Sequence, residues 1–276
     1  MEVLFIILGI LVALALLIVF LVFPSLRRHP DREVLRGRYI AHRGLHGIAA
    51  SGPENSLSAF RFAAENGFAI EIDLHLIADG EVVVFHDDTL DRVCGVSGRV
   101  EDKTLPELTE LRLAGTTEQL PTLRECLSVV GGRVPLLIEF KSLGGCAPLC
   151  EAANKILSEY EGKYIIQSFF PPVLSWYRRN RPDICRGQLA TVHGKDKPWY
   201  YNLASCQFTN VIARPDFLSF DFTHKKFFFF RLCKALGAFP VGWTFKKAEE
   251  VEATKDDVNT FIFEKFLPDE VKRDAK

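Results

Sequence analysis

A chain of 276 residues that is 48% hydrophobic and 12% aromatic holds enough apolar material for one large core, and no shift in composition divides it in two. Its formal net charge of -1 argues against nucleic acid as the main partner. Seven cysteines, an odd number without regular paired spacing, suit a reducing compartment better than a disulfide framework, and Cys146 and Cys150 lack the second ligand pair of a zinc site.

In chain order, the first element is the uncharged run from Val3 to Phe23, as long as the ~20 residues a helix needs to cross a bilayer. A signal peptide is the rival reading, but a basic leading region and an A-x-A cleavage signal are both missing. Only Glu2 precedes the run, whereas Arg27, Arg28, Arg32, Arg36 and Arg38 follow it, so the positive-inside rule places the following domain in the cytoplasm of a single-pass membrane protein. The same arginines would be drawn to anionic lipid headgroups. Residues 1–23 are therefore expected as a transmembrane helix, 24–37 as a basic juxtamembrane linker, and 38–276 as one catalytic domain.

Beyond the linker, short apolar runs predict nine strands: Tyr39 to His42, Ala69 to Leu74, Val82 to His86, Leu136 to Lys141, Tyr164 to Phe169, Gly187 to Ala190, Phe217 to Phe222, Val241 to Phe245 and Thr260 to Glu264. Helical spacing of apolar residues predicts helices over Ser56 to Asn66, Leu123 to Val130, Ala147 to Tyr160, Pro172 to Asn180, Lys225 to Leu236 and Lys247 to Lys255. Alternating strand and helix fits an α/β (β/α)8 TIM barrel, with a doubly wound open sheet as the alternative. Nine strands do not fit eight places, and the connection from Asp73 to Glu81 is too short for a crossover helix, so the barrel is irregular: one strand is a hairpin arm or is not a strand. The stretch from Asp88 to Thr122 shows little period and reads as a loop excursion over the barrel mouth.

The chemistry gathers at strand ends. Side chains alternate along a strand, so Glu71 and Asp73 share a face, and so do Glu139 and Lys141. His75 joins the first pair if its strand continues, as a ligand or as a hydrogen-bonded wall residue. Each acid alone reads as half of a buried ion pair, Glu139 with Lys141 or Glu71 with Arg43. Three converging carboxylates would raise each other's pKa unless a cation lies between them, and all-oxygen ligation favours Mg²⁺ or Ca²⁺ over zinc. His42 and His86 sit where strands give way to loops, the rim at which barrel enzymes place catalytic groups. Arg43 suits a bidentate contact to phosphate, Gly44 permits close backbone approach, and Pro53-Glu54-Asn55-Ser56 reads as a turn feeding a helix with Asn55 or Ser56 as its cap.

Taken in order, His42-Arg43-Gly44, Pro53-Glu54-Asn55, Glu71-Ile72-Asp73, Asp79-Gly80, His86-Asp87, Pro121-Thr122-Leu123, Glu139-Phe140-Lys141, Ser168-Phe169 and Trp243-Thr244 resemble the motifs of the glycerophosphodiester phosphodiesterase family, whose barrel is of the phosphatidylinositol-phospholipase type. The resemblance implies a phosphoric diester hydrolase acting on a small-molecule or lipid phosphodiester. It implies that Glu71, Asp73 and Glu139 hold the divalent metal, that His42 accepts and His86 donates a proton, and that Arg43 and Lys141 line the phosphate. Where the family commonly ends in a strand rich in Asp and Thr, this chain has Phe261-Ile262-Phe263-Glu264, which predicts an altered C-terminal wall. A membrane anchor brings in lysophospholipids as a second substrate class. A lipid- or metal-binding barrel without turnover is the non-enzymatic alternative. Phe227-Phe228-Phe229-Phe230 cannot all face inward on a helix, so at least one is expected to be exposed, in a membrane-facing patch or incidentally. Oligomeric state is not legible.

Overall fold

Strands form where apolar, β-branched and aromatic residues cluster: β1 (Tyr39–Ala41), β2 (Ala69–Leu76), β3 (Val82–Val84), β4 (Leu136–Phe140), β5 (Tyr164–Ser168), β6 (Arg186–Ala190), β7 (Phe217–Asp221), β8 (Phe239–Phe245) and β9 (Thr260–Phe263). The computed structural model describes residues 1–48, 51–142, 145–192 and 205–268, so the end of the expected 38–276 domain, residues 269–276, lies outside the described residues. Eight strands run parallel and close into a TIM barrel, with β1 pairing both β9 and β2. The ninth resolves the surplus: β3 lies antiparallel on β2, Leu74 opposite Val84 and Leu76 opposite Val82. It is a hairpin arm, turned at Asp79-Gly80 where Gly80 takes a φ of 86°.

Helices return the chain between parallel strands, over Leu57–Glu65, Leu123–Val130, Cys146–Leu157, Pro171–Asn180, Phe228–Ala235 and Ala248–Glu252. The second of these shows why. Thr122 caps it in a box with Glu125, Gly131 ends it at a φ of 57°, and Leu123, Cys126, Leu127 and Val130 form one buried stripe. The two expected helices near the C-terminus are shorter than their apolar spacing suggested: the first starts only after the extended cap Phe227, and the second starts after the extended cap Lys247 and gives way to turns from Ala253.

Residues 88–122 are more ordered than a loop. Helical turns at Asp91–Cys94 and Leu105–Thr109 and 3-10 turns at Val100–Asp102 and Leu113–Gly115 bury Leu90, Val93, Val100, Leu108 and Leu113 against Val83 and Phe85. Each turn is too short to display a helical period in sequence, which is why only an excursion was legible.

The inward rows of the barrel are layered. At the bottom, Ile40, Ala69, Leu137, Ile165, Phe217, Val241 and Ile262 make an apolar plug with Leu35, which rises from a 3-10 turn over Pro30–Leu35. Two residues further along the same rows come His42, Glu71, Glu139, Gln167 and Glu264, so one alternation builds both a dry floor and a polar mouth.

The apolar helix spans Glu2–Val22 with a mean hydropathy of 3.5, long and apolar enough to be a membrane span or a signal sequence. Its last turn docks on the barrel. Val22 is fully buried and its carbonyl accepts from Asn210 Nδ2 at 2.9 Å, while Arg214 Nη1 donates to the carbonyls of Phe20 and Phe23 at 3.0 and 2.8 Å. This contact also decides the phenylalanine run. Phe227, Phe229 and Phe230 pack in one cluster with Val22 and Ile18, and only Phe228 is strongly exposed, at 65%. Phe228 is thus the exposed member that the run required. Because Leu35 is buried under the barrel, Leu35→Ala is expected to cost about 2–5 kcal/mol in denaturant unfolding, whereas Leu26→Ala, at a position 84% exposed, leaves the midpoint unchanged.

Candidate active site

Three carboxylates converge at the mouth because β2 and β4 pair in register, Asp73 opposite Glu139 and Glu71 opposite Leu137. Glu71, Asp73 and Glu139 are all buried, and each places an oxygen within 4.8 Å of the others. Lys141 Nζ lies 2.5 Å from Glu139 Oε1 and 3.1 Å from Asp73 Oδ1. Arg43 gives its backbone N–H to Glu71 Oε2 at 3.0 Å, its Nη1 to Glu54 Oε1 at 2.8 Å, and holds Nε 3.7 Å from Asp73. The guanidinium thus pairs with Glu54 and Asp73, and Glu71 is met by the backbone of the same residue.

The Pro53-Glu54-Asn55-Ser56 string is part of this site as well as a helix start. Ser56 is the cap, accepting from Ala59 N at 3.2 Å, while Asn55 is buried and donates from Nδ2 to Asp73 Oδ2 at 3.0 Å. Arg43 and Asn55 have φ near 54° and 53°, and the Asn55 N–H binds the Arg43 carbonyl at 2.8 Å, so two left-handed residues brace each other behind the acids. Gly44, with φ of 82°, serves packing here: a Cβ there would stand 2.9 Å from Ala59 Cβ, on the helix behind the loop. His75 is the wall residue of the two readings, fully buried with Nδ1 3.3 Å from Glu101 and apart from the three acids.

Both histidines face the same cavity of about 90 Å³, lined also by Arg43, Glu71, Glu139, Lys141, Gln167, Phe169 and Trp243. His42 Nδ1 lies 2.8 Å from Glu264 Oε2, and His86 Nδ1 lies 2.6 Å from Asp87 Oδ1. Asp87 and Glu54 are both gripped by Arg92, from the excursion, at 2.5 and 2.6 Å. Glu264 and Arg92 were not singled out in the sequence. Glu264 carries the same signal as Glu71 and Glu139, an acid two residues beyond an inward apolar position; Arg92 carries none, because its partners are set by tertiary packing alone.

Electrostatics separates the acids. Burial pushes Glu71 well above the ordinary carboxylate range, with the charges of Asp73 and Glu139 adding to it. Burial also pushes Glu139 up to about 7, Lys141 opposing and Asp73 adding. At Asp73 burial is outweighed by Lys141, His86, Arg43 and Asn55, so this carboxyl stays well below its usual range. Burial lowers His42 to about 4 against the pull of Glu264, and lowers His86 against Asp73. Two acids whose ionised forms burial disfavours, beside a third that is ionised, suit the donor set of a hard divalent cation, whose charge would relieve their repulsion.

A barrel mouth carrying three converging carboxylates that could hold a cation, two fixed positive charges and two carboxylate-held imidazoles has the donor set that phosphodiester chemistry calls for. The profile of the glycerophosphoryl diester phosphodiesterase family matches residues 42–262, and the chain belongs to that family. A Bacillus subtilis protein named as a glycerophosphodiester phosphodiesterase is 36% identical over 154 residues, 52% of this chain and 62% of that protein. Glycerophosphodiester phosphodiesterase 1 of Bos taurus is 34% identical over 172 residues, 58% of this chain, and the chain spans about half of that relative, 49%. A solved phosphodiesterase of Oleispira antarctica, in complex with the product sn-glycerol-3-phosphate, shares the fold with a TM-score of 0.69 at 24% identity, over 87% of this chain and 97% of that one.

Glu139 yields a pH test. Its folded pKa lies near 7, above the ordinary value of 4.5, so between these values the folded state holds a proton that the unfolded state has lost. The stability it contributes is therefore fully present below pH 4.5 and is lost as pH rises through 7. In metal-free protein, wild type should lose stability relative to Glu139→Gln across this window in urea unfolding, and added Mg²⁺ or Ca²⁺ should reverse the loss.

Proposed function

We propose that the chain hydrolyses glycerophosphodiesters to an alcohol and glycerol phosphate, with His42 and His86 as proton acceptor and donor. The observation that carries this reading is that both imidazoles line one small cavity with Arg43, Lys141, Glu71 and Glu139. Family membership and relatives named as glycerophosphodiester phosphodiesterases support the substrate class.

Glu71, Asp73 and Glu139 would hold the metal, Mg²⁺ or Ca²⁺, which when bound supplies positive charge to a phosphoryl oxygen. Arg43 and Lys141 add charge from the side and orient the phosphate. Glu264 accepts from Nδ1–H of His42, which leaves Nε2 free to take a proton from the attacking hydroxyl, whether of water or of the substrate's own glycerol. With a pKa near 4, His42 is neutral and ready to accept at pH 7. Asp87 fixes His86 in the same way. Lys141 and Arg43 disfavour the charged form of His86, and an incoming phosphodiester anion offsets them, which favours the imidazolium needed to protonate the leaving alcohol.

Residues 2–22 are read as a retained single membrane span with the barrel on the cytoplasmic side, supported by the burial of Val22 and by the arginines after it. Lysophospholipids are the second substrate class. The span argued for them, but it attaches beside Arg214–Asp216, which precede β7, at the opposite end from the mouth. The soluble diester is the reading we favour.

The test is hydrolysis of glycerophosphocholine and of a lysophospholipid by the full chain, with each metal and with a chelator. His42→Ala and His86→Ala should each lower kcat by about 10²–10⁴, and binding without turnover would favour a non-catalytic barrel. Glu264→Gln should cost about tenfold in kcat and move the acid limb of the pH profile further below 4, since the carboxylate now raises the His42 pKa.

A further inference from the structure

A second cavity, of about 590 Å³, lies at the end of the apolar helix, between Phe20 to Arg27 and the lower end of β6. Four arginines line it, Arg27, Arg178, Arg186 and Arg214, and no acidic residue is among its described lining. Their donors are only partly used. Arg178 Nη1 reaches the Ile212 carbonyl at 3.0 Å, and Arg214 Nη1 is occupied by the helix-end carbonyls. Arg27 donates to the Pro182 carbonyl and lies 3.5 Å from Asp216. Arg186 is 4% exposed; its Nε and Nη2 donate to the carbonyls of Ala213 and Arg214, each at 3.2 Å, and its buried Nη1 has no hydrogen-bond acceptor among the described residues, with the Asp216 carboxylate 3.7 Å away.

Among the described residues, Asp216 is the one carboxylate that pairs with this group, and it is shared between Arg27 and Arg186. Arg27 and Arg178 are exposed, but the guanidinium of Arg186 is taken out of water beside a carboxylate it shares, which is costly without a further anion nearby. Burial works against the charge of Arg186, and Arg27 and Arg178 add to the effect while Asp216 opposes it. Planar guanidiniums with free donors converging on one space match the oxygens of a phosphate. The place is equally specific. Val22 ends the span, so Phe20, Phe23 and Leu26 stand at the level of the bilayer's phosphates, with Leu26 exposed beside the arginines.

We propose that this cavity binds a phosphate-bearing anion at the bilayer surface, with a phosphatidic acid headgroup as the lipid source and inorganic phosphate as the soluble one. The inference rests on the reading of residues 2–22 as a retained span, and is independent of the catalytic assignment. Arg186 contributes charge from beneath the cavity, and Arg27 and Arg178 meet the phosphate oxygens from its exposed rim.

The test uses the full chain in neutral detergent micelles, titrated with dihexanoyl phosphatidic acid, a phosphomonoester and so not a diester substrate, and separately with inorganic phosphate. The double variant Arg27→Gln/Arg178→Gln changes two rim residues and should keep the wild-type unfolding midpoint and the wild-type rate on glycerophosphocholine. It should bind phosphatidic acid about tenfold or more weakly. Competition by inorganic phosphate supports the site with a free anion as its ligand, and absence of competition supports the lipid. Wild-type protein that binds neither probe, or a double variant that binds phosphatidic acid as wild type does, overturns the proposal. A chain that binds the lipid in this way but hydrolyses no diester keeps this site and loses the catalytic reading.

Discussion

Crowding of like charge at the barrel mouth is the constraint around which the rest is arranged. Glu71, Asp73 and Glu139 are brought together by strand register alone, in a place where burial already disfavours their ionised forms. The protein answers with Lys141 between two of them, Arg43 behind, and the Asn55 amide on Asp73. Only Asp73 is thereby held firmly ionised. The unrelieved pair is what a hard cation would satisfy, and so the same repulsion that weakens the isolated fold equips it to bind one.

Around that centre, each imidazole is fixed by its own carboxylate from a different part of the chain. Glu264 directly follows the last strand, and Asp87 is the residue beside His86. Arg92 ties Asp87 to Glu54, and Glu54 to Arg43, so the excursion after β3 belongs to the electrostatic frame of the mouth and not merely to its rim. Each carboxylate orients its ring by the same nitrogen, Nδ1, leaving Nε2 as the other ring position.

Much of this was legible because strand alternation is a strict period. Glu71 with Asp73, and Glu139 with Lys141, could be placed on inward faces from spacing, and the surplus ninth strand announced itself through a connection too short for a helix. Other features were hidden for physical reasons. His75 shares the parity of Glu71 and Asp73, but the β2–β3 hairpin carries it to Glu101 and away from the mouth, which parity cannot convey. Gly44 looked like a place for a ligand to approach, whereas its missing Cβ accommodates Ala59. The turns between Asp88 and Thr122 are shorter than the window over which periodicity shows, and the burial of Phe227, Phe229 and Phe230 depends on a partner, the end of the first helix, more than two hundred residues away in sequence.

The plugged floor of the barrel bears on how the molecule stands. Leu35 seals the bottom layer, Thr260 Oγ1 donates to its carbonyl at 2.8 Å, and Arg214 clamps the final carbonyls of the apolar helix. The segment between helix and barrel is thus tied to the barrel at both ends. On the proposed reading of residues 2–22 as a retained span, this attachment turns the barrel mouth away from the bilayer, toward solutes rather than lipid.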